Sequence, residues 1–526
     1  MGAPRSSSVR LRHTVMTSSS DQRGPVNRTE HAFTSGVWTA AGYGLQGLMT
    51  VGSVAVLARV LSPDEFGLVS AAMLAINFSR VFSEGAIAPA VVQHPKLRDE
   101  HIQTAFTLSL GASVLLFMLL WLGAPTIAAL LKAPHLVPVL RVLACLQPIA
   151  GLGVIADSLL RRELRFRTIA NVRIVSYGVG YGGVGIVAAL AGAREWALVA
   201  ANATQAILTT ALLLRARPHS KRLGMDWPAA RELLSFGGGF VLARIGNYAA
   251  GDGDNAVVAK WLGLSALGLY DRAYQLMVAP AMLLGQVMDE ILFASLARIQ
   301  DDRSLVSAAY RQCIVGVALV MLPLTAVAWT LAPEIVYVVL GPAWSGVTTP
   351  FRILALGTLF RTSYKISDSL TRALGAMYRR AWRQWVYAGF VIGGAIIGQH
   401  WGLAGVAWAV LLALAVNVLL QAHLVMKLVP FTWSDLLAAH GPALLTATFV
   451  GLPAFATALL LRDVLHLAPL VVLGGTLALV LGLLAAVLAF WRRRFLGQDG
   501  TWLVAQILEF SHKPLRRMQT SASEVH

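Results

Sequence analysis

The segment "FRILALGTLFRTSYKISDSLTRALG" (351–375) sets Arg361, Lys365, Asp368 and Arg372 at spacings of 4, 3 and 4. At helical periodicity these four side chains share one stripe. Three cations and one carboxylate on a stripe suit an anionic headgroup such as a pyrophosphate, to which arginine offers a planar donor fork and lysine a mobile point charge. Two further groups have the same potential. Arg80 and Glu84 stand four residues apart, and "RIGNYAAGDGDN" carries Arg244, Asp252 and Asp254. The "DGD" triplet matches a metal-binding carboxylate pair only superficially, and no metal or cofactor site is read from it.

These charges interrupt an apolar chain. Of 526 residues, 56% are hydrophobic and 13% charged, and the mean hydropathy is +0.65. Soluble domains are nearer 45–50% apolar and about 25% charged. Fourteen stretches between residues 36 and 490 approach the roughly 20 apolar residues that a bilayer core requires. The charged groups fall in the stretches 66–92, 236–258 and 350–374. The second of these is the weakest, broken by "GGG" and "DGDN". Nothing between the stretches is large enough for a soluble domain. The expected fold is an all-α integral membrane protein of about fourteen transmembrane helices. The first apolar stretch is too long for a signal-peptide core of about 7–15 residues and reads as a retained helix. Cys145 and Cys313 make no disulfide framework and read as small apolar filler.

Basic residues give the orientation. With both termini on one side, that side receives Arg161, Arg162, Arg165 and Arg167, then Arg215, Arg217, Lys221 and Arg222, then Arg372, Arg379, Arg380 and Arg383. The opposite loops hold only Arg59, Lys132, Arg194, Lys260 and Arg462. The positive-inside rule then places both termini in the cytoplasm. The basic loops meet anionic membrane lipids. No basic segment is interleaved with aromatics on a soluble fold, which argues against nucleic acid.

Ionisable groups within a membrane helix are costly and mark a pathway or site by default. Arg372 and Lys365 have a second reading, as interfacial residues snorkelling to lipid phosphates. Arg361 lies too deep for it, and Arg352 sits on the opposite face near the outer end. Arg80 and Glu84 either neutralise each other, or Glu84 couples transport by protonation with Arg80 facing a cavity. Arg244 is a second cationic wall. Asp254 pairs with a cation such as Lys260 or contributes to ion coupling. The candidate substrate-binding set is therefore Arg361, Lys365, Arg244 and Arg80. The candidate coupling set is Glu84, Asp254 and Asp368. "DWPAARELLSF" and "TWLVAQILEF" read as amphipathic interfacial helices. The glycines of "GYGLQG" and other helices read as packing or hinge positions.

One turn occurs twice. "ARVLSPDEFGLV" (58–69) returns 201 residues later as "AKWLGLSALGLY" (259–270). Both end one helix, turn outside and start the next. A shift of six helices keeps orientation, so the repeats are parallel about an axis along the membrane normal, a plan used by secondary transporters. Together with "LLRRELRFRTIA" and the long run from "LLSFGGGFVLARIGNYAAGDGDN" to "FASLARIQDD", these segments resemble the Wzx-type polysaccharide flippases of the multidrug, oligosaccharidyl-lipid and polysaccharide exporter superfamily. The resemblance covers most of residues 33–427. It implies two pseudo-symmetric six-helix bundles around a central cavity, and translocation of undecaprenyl-pyrophosphate-linked oligosaccharide across the bacterial inner membrane. It also implies polymerase and export machinery as pathway partners. The resulting division is a basic tail (1–33), two bundles (34–215 and 216–427), two added helices (428–491) and a C-terminal tail (492–526).

The chain reads as a transporter and not an enzyme. No G-x-x-x-x-G-K-[ST] segment is present, so energy comes from an ion gradient or from removal of product. A drug or lipid II exporter of the same superfamily is the alternative. A membrane glycosyltransferase or polymerase is less favoured, because the outside loops are short and nearly free of carboxylates.

Overall fold

The computed structural model describes residues 44, 46–85, 87–299, 301–490 and 494–501, without the side chains at 84, 85, 236–240, 242, 243, 283–298, 377 and 378. The first tail, half of "GYGLQG" (42, 43 and 45), all but Thr501 of "TWLVAQILEF" and the Glu84 side chain lie outside that description. Every regular element among the described residues is helical. The helices are α1 (Gln46–Val60), then α2 (Pro63–Gly85), α3 (Ile87–Gln93), α4 (Asp99–Leu130), α5 (Leu136–Ala144), α6 (Leu146–Arg162), α7 (Phe166–Tyr177), α8 (Ile186–Leu190) and α9 (Glu195–Ala216). They continue as α10 (Trp227–Trp261), α11 (Leu264–Arg298), α12 (Arg303–Thr330), α13 (Ala332–Val339), α14 (Thr348–Ala355), α15 (Thr358–Ala373), α16 (Met377–Gly398), α17 (Gly402–Met426), α18 (Trp433–Leu459) and α19 (Pro469–Phe490). Among the described residues nine helical runs are long and apolar enough to cross a membrane, one of them being α16 and α17 in series. The chain is an integral, multi-pass membrane protein.

Local chemistry sets the ends. Ser62 and Glu65 form a reciprocal cap on α2, with Ser62 N donating to Glu65 Oε2 at 2.8 Å and Glu65 N to Ser62 Oγ at 3.4 Å. Asp226 Oδ1 accepts from Ala229 N at 2.8 Å and caps α10, where Pro228 loses nothing by lacking an N–H. The "DWPAARELLSF" segment is therefore the first turns of one long helix rather than a separate interfacial one. The "GGG" run does not break it either. An interior glycine costs about 1 kcal/mol relative to alanine, but α10 is held along its length by neighbours. A Cβ at Gly246 would stand 3.2 Å from Trp385 and one at Gly253 2.6 Å from Ile392, so these glycines let α16 lie close. The stretch 350–374 is by contrast two helices, parted at Leu356–Gly357. There a Cβ on Gly357 would stand 2.9 Å from Leu414 of α17.

The 201-residue repeat appears as direct contact. α2 packs on α11, and positions related by the repeat meet each other. A Cβ at Gly67 would stand 1.8 Å from the Leu264 carbonyl oxygen, and one at Gly268 2.1 Å from that of Pro63. Three residues after each glycine, Ser70 Oγ donates to Asp271 Oδ2 at 2.8 Å. Such reciprocal contact is the mark of a two-fold axis between equivalent surfaces. The same end carries Arg59 Nη2 donating to Val338 O at 2.7 Å and Trp344 Nε1 donating to Ala58 O at 2.7 Å. α18 and α19 dock on the outside of α12 and α13 through Val327, Leu331, Val450, Ala454, Val472 and Val480. Arg462 clamps this addition, donating Nε to Glu334 Oε1 at 2.7 Å and Nη2 to Oε2 at 2.8 Å.

Candidate functional site

Three helices turn polar stripes onto one cavity of about 210 Å³. α10 contributes Asn247, Ala250 and Gly251, α15 contributes Arg361, Tyr364, Lys365 and Asp368, and α16 contributes Arg380, Gln384 and Tyr387. Within each helix the residues recur at three, four or seven, the spacing of one helical face. The opposite face of α15 is buried through Leu359, Thr362, Ile366 and Leu370, which fixes its rotation. Ala250 and Gly251 leave the space that longer side chains of α15 and α16 line.

Arg361 Nη1 donates to Tyr274 Oη at 2.6 Å, and its guanidinium carbon stands 5.1 Å from that ring's centroid. The phenol orients the cation without neutralising it. Asp368 is neutralised. Arg380 embraces it with two hydrogen bonds, one from Nε and one from Nη2 at 3.1 Å, while Arg372 Nε approaches Oδ2 at 3.3 Å. Arg361, Lys365 and Arg380 thus line the cavity together with one carboxylate, Asp368.

The structure brings Arg361, Lys365 and Asp368 together. Arg244 is exposed on α10, one turn before Asn247, and does not line the cavity. Arg80 lies on α2, half-buried, with Nε lacking a hydrogen-bond partner, and it does not line the cavity either. Asp254 is buried and accepts from Tyr270 Oη at 2.7 Å. The expected pairing with Lys260 is replaced for a geometric reason. Six residues along a helix leave the two side chains about 120° apart around its axis, and Lys260 lies over Trp261 at 4.6 Å. Arg352 stands away from the cavity, over Trp329 at 5.5 Å. Sequence reasoning missed Arg380, Gln384 and Tyr387, whose spacing of 4 and 3 on α16 repeats that of Arg361, Lys365 and Asp368. Arg380 had been assigned to a cytoplasmic loop; α16 begins three residues before it.

The fold is that of the multidrug, oligosaccharidyl-lipid and polysaccharide exporters. A structure of the lipid II flippase MurJ in an inward-closed conformation superposes with a TM-score of 0.70 over 87% of this chain and 99% of the other, at 13% identity. An inward-facing multidrug transporter of the MATE family gives 0.56 over 74% and 95%, at 16% identity. Residues 56–349 match the polysaccharide biosynthesis protein family, and the chain belongs to it. The succinoglycan biosynthesis transport protein ExoT of Rhizobium meliloti is 26% identical over 58% of this chain and 61% of its own length. The lipopolysaccharide biosynthesis protein WzxC of Escherichia coli is 23% identical over 71% and 76%. The resemblance to Wzx-type flippases is thereby borne out.

Proposed function

We infer that this chain is a flippase that carries undecaprenyl-pyrophosphate-linked oligosaccharide from the cytoplasmic to the periplasmic leaflet of the bacterial inner membrane, for export of a surface polysaccharide. The cationic cavity on α10, α15 and α16 is the observation that carries the reading. Three cations lining one cavity within a membrane protein mark a site suited to an anionic group, and the known relatives include a succinoglycan transport protein and a lipopolysaccharide biosynthesis protein. The double run α16–α17 counts as two crossings, and α1, α10, α11 and the α14–α15 pair bring the number to fourteen. Two bundles, α1–α9 and α10–α17, related by the axis between Gly67 and Gly268, would rock about that axis to expose the cavity to either side in turn. The concentration of Lys and Arg in the loops of one side supports a cytoplasmic location for both termini. Coupling to an ion gradient needs an ion that binds the two states unequally, and Asp368, which answers to Arg372 and Arg380, is the carboxylate best placed for it.

Proteoliposomes holding the purified protein should move a fluorescent undecaprenyl-pyrophosphate disaccharide to the opposite leaflet, and move an undecaprenyl monophosphate sugar far less. Equal movement of both lipids would refute the pyrophosphate reading. Orientation has its own test, in a background with both native cysteines replaced by alanine. Arg98→Cys should stay protected from an impermeant thiol reagent in intact cells, and Asp64→Cys should label.

Asp368 yields a third expectation. It already occupies the donors of Arg380, so it competes with an incoming phosphate. Asp368→Asn removes that competitor, and pyrophosphate should bind several-fold tighter. Transport should nevertheless slow, because release then lacks a returning anion. Weaker binding by Asp368→Asn would show that the carboxylate only positions Arg380.

A further inference from the structure

His94, His101 and Glu232 meet far from the cavity, on the side that carries the basic loops. They come from three separate places: the end of α3, the first turn of α4 and the second turn of α10. His94 Nε2 lies 3.1 Å and His101 Nε2 3.0 Å from the same atom, Glu232 Oε2. One donor atom from each residue lies within 4.8 Å of the others. A tetrahedral zinc ion with ligands at about 2.0–2.1 Å has edges of roughly 3.3 Å, close to the two short edges seen here.

The group is built rather than incidental. Arg162 Nη1 donates to the carbonyls of Val92 at 3.1 Å and His94 at 2.6 Å, which pins the end of α3. His101 is fully buried. The start of α10 is tied to α4 independently, by Asp226 N donating to Thr104 Oγ1 at 3.1 Å. Glu232 is half-exposed and leaves a route from solvent.

We propose that His94 Nε2, His101 Nε2 and Glu232 Oε2 bind a divalent cation of the zinc type, with water in the fourth position. The cation would bridge the first bundle, through α3 and α4, to α10 of the second. Two imidazoles and a carboxylate are a donor set for zinc or cobalt and not for calcium or magnesium, which take oxygen ligands. Without a cation, Arg98 N donates to His101 Nδ1 at 3.3 Å, so the His101 proton sits on Nε2 and is shared with Glu232. Binding takes the Nε2 lone pair and moves that proton to Nδ1, with no net change in proton count. It costs the long Arg98 bond, and His94 Nδ1, buried without a partner, must carry a proton unaided. Both costs oppose binding, so the site is a reversible, regulatory one rather than a permanent structural one. A bridge between bundles that must separate to admit substrate slows transport when occupied.

The test uses the full chain, freed of any polyhistidine tag. Cobalt titration should give one equivalent with the intense visible absorption of tetrahedral coordination, displaced by zinc. His94→Ala and Glu232→Gln should each weaken binding by about ten-fold or more, since even indirect supports of a metal change affinity by 10–100-fold. Neither residue lines the cavity, so both variants should transport as wild type without zinc and should resist inhibition by it. Absence of the cobalt band in wild-type protein would leave a hydrogen-bonded clasp only and overturn the proposal. So would unchanged binding in the His94→Ala, Glu232→Gln double variant, which would put the cation elsewhere.

Discussion

Arg361→Ala is expected to abolish export while leaving the protein inserted and folded. In the native chain the guanidinium has one close neutral partner, the Tyr274 hydroxyl at 2.6 Å, and it faces a cavity that also holds Lys365 and Arg380. Tyr274 fixes the direction of the charge and does not consume it. A pyrophosphate oxygen that enters therefore meets a donor already aimed, and little ordering entropy is left to lose. Hydrogen bonds to a charged group contribute about 1.5–3 kcal/mol each, which is ten-fold or more in affinity. Truncation also removes an Arg whose placement at the centre of a membrane helix costs about 2.5–3.5 kcal/mol on insertion scales, so insertion should not suffer. Binding of undecaprenyl pyrophosphate to purified protein and export in cells are the two readouts. Arg361→Lys should keep part of both, because charge remains while the planar fork is lost. Tyr274→Phe should cost less than Arg361→Ala, since it frees the guanidinium without removing it. Arg352→Ala, over Trp329 and away from the cavity, should be mild. Wild-type affinity in Arg361→Ala, or a larger loss in Arg352→Ala, would refute the assignment.

The sequence showed some of this site and hid the rest for identifiable reasons. Arg361, Lys365 and Asp368 were legible because charges in an otherwise apolar stretch stand out and share a helical period. Arg380 carries the same chemistry but sits in "MYRRAWRQ", where neighbouring cations look like a positive-inside loop. Only the point at which α16 starts decides between loop and cavity, and helix boundaries are weakly encoded. The break between α14 and α15 was hidden likewise, since "ALGTL" contains one glycine and no proline. Asp254 shows the limit of one-dimensional reasoning most clearly. Its partner Tyr270 lies 16 residues away across a turn, and no periodicity links them. The His94–His101–Glu232 group spans 138 residues and has no sequence signature, because a metal motif read from sequence needs its ligands close along the chain.

The fold itself was easier to see than the site, because apolar length and repeated turns are properties of long segments. The 201-residue shift between "ARVLSPDEFGLV" and "AKWLGLSALGLY" has a physical cause in the packing of α2 on α11. Each copy must present a residue without a side chain at the position where the other copy's backbone crosses. Glycine at 67 and 268 is thus a steric demand of two-fold contact.

That demand leads to the largest structural effect expected in the protein. Gly67→Ala would place a methyl carbon 1.8 Å from the Leu264 carbonyl oxygen, less than any real Cβ contact. Backbone cannot rotate aside as a side chain can, so α2 and α11 must part. Around the contact Phe66, Leu267, Tyr270 and Trp344 are almost wholly buried, and separation opens a void among them. Ordinary overpacking of a core costs about 1–3 kcal/mol, and a methyl driven into backbone should exceed that. Gly268→Ala meets the Pro63 carbonyl at 2.1 Å and should behave the same way. Because both methyls push apart one pair of helices, the double variant should lose less than the sum of the two single variants, as coupled sites do. Thermal unfolding of the purified variants measures the loss. A second readout separates simple destabilisation from opening of this end. Leu267→Cys, fully buried at the contact, should be silent to an impermeant thiol reagent alone and reactive from outside when combined with Gly67→Ala. Since the Ser70–Asp271 bond at 2.8 Å crosses the same contact, Ser70→Ala should weaken the closure modestly without exposing position 267. Native-like melting of Gly67→Ala, with position 267 still silent, would show that α2 and α11 do not meet at their glycines.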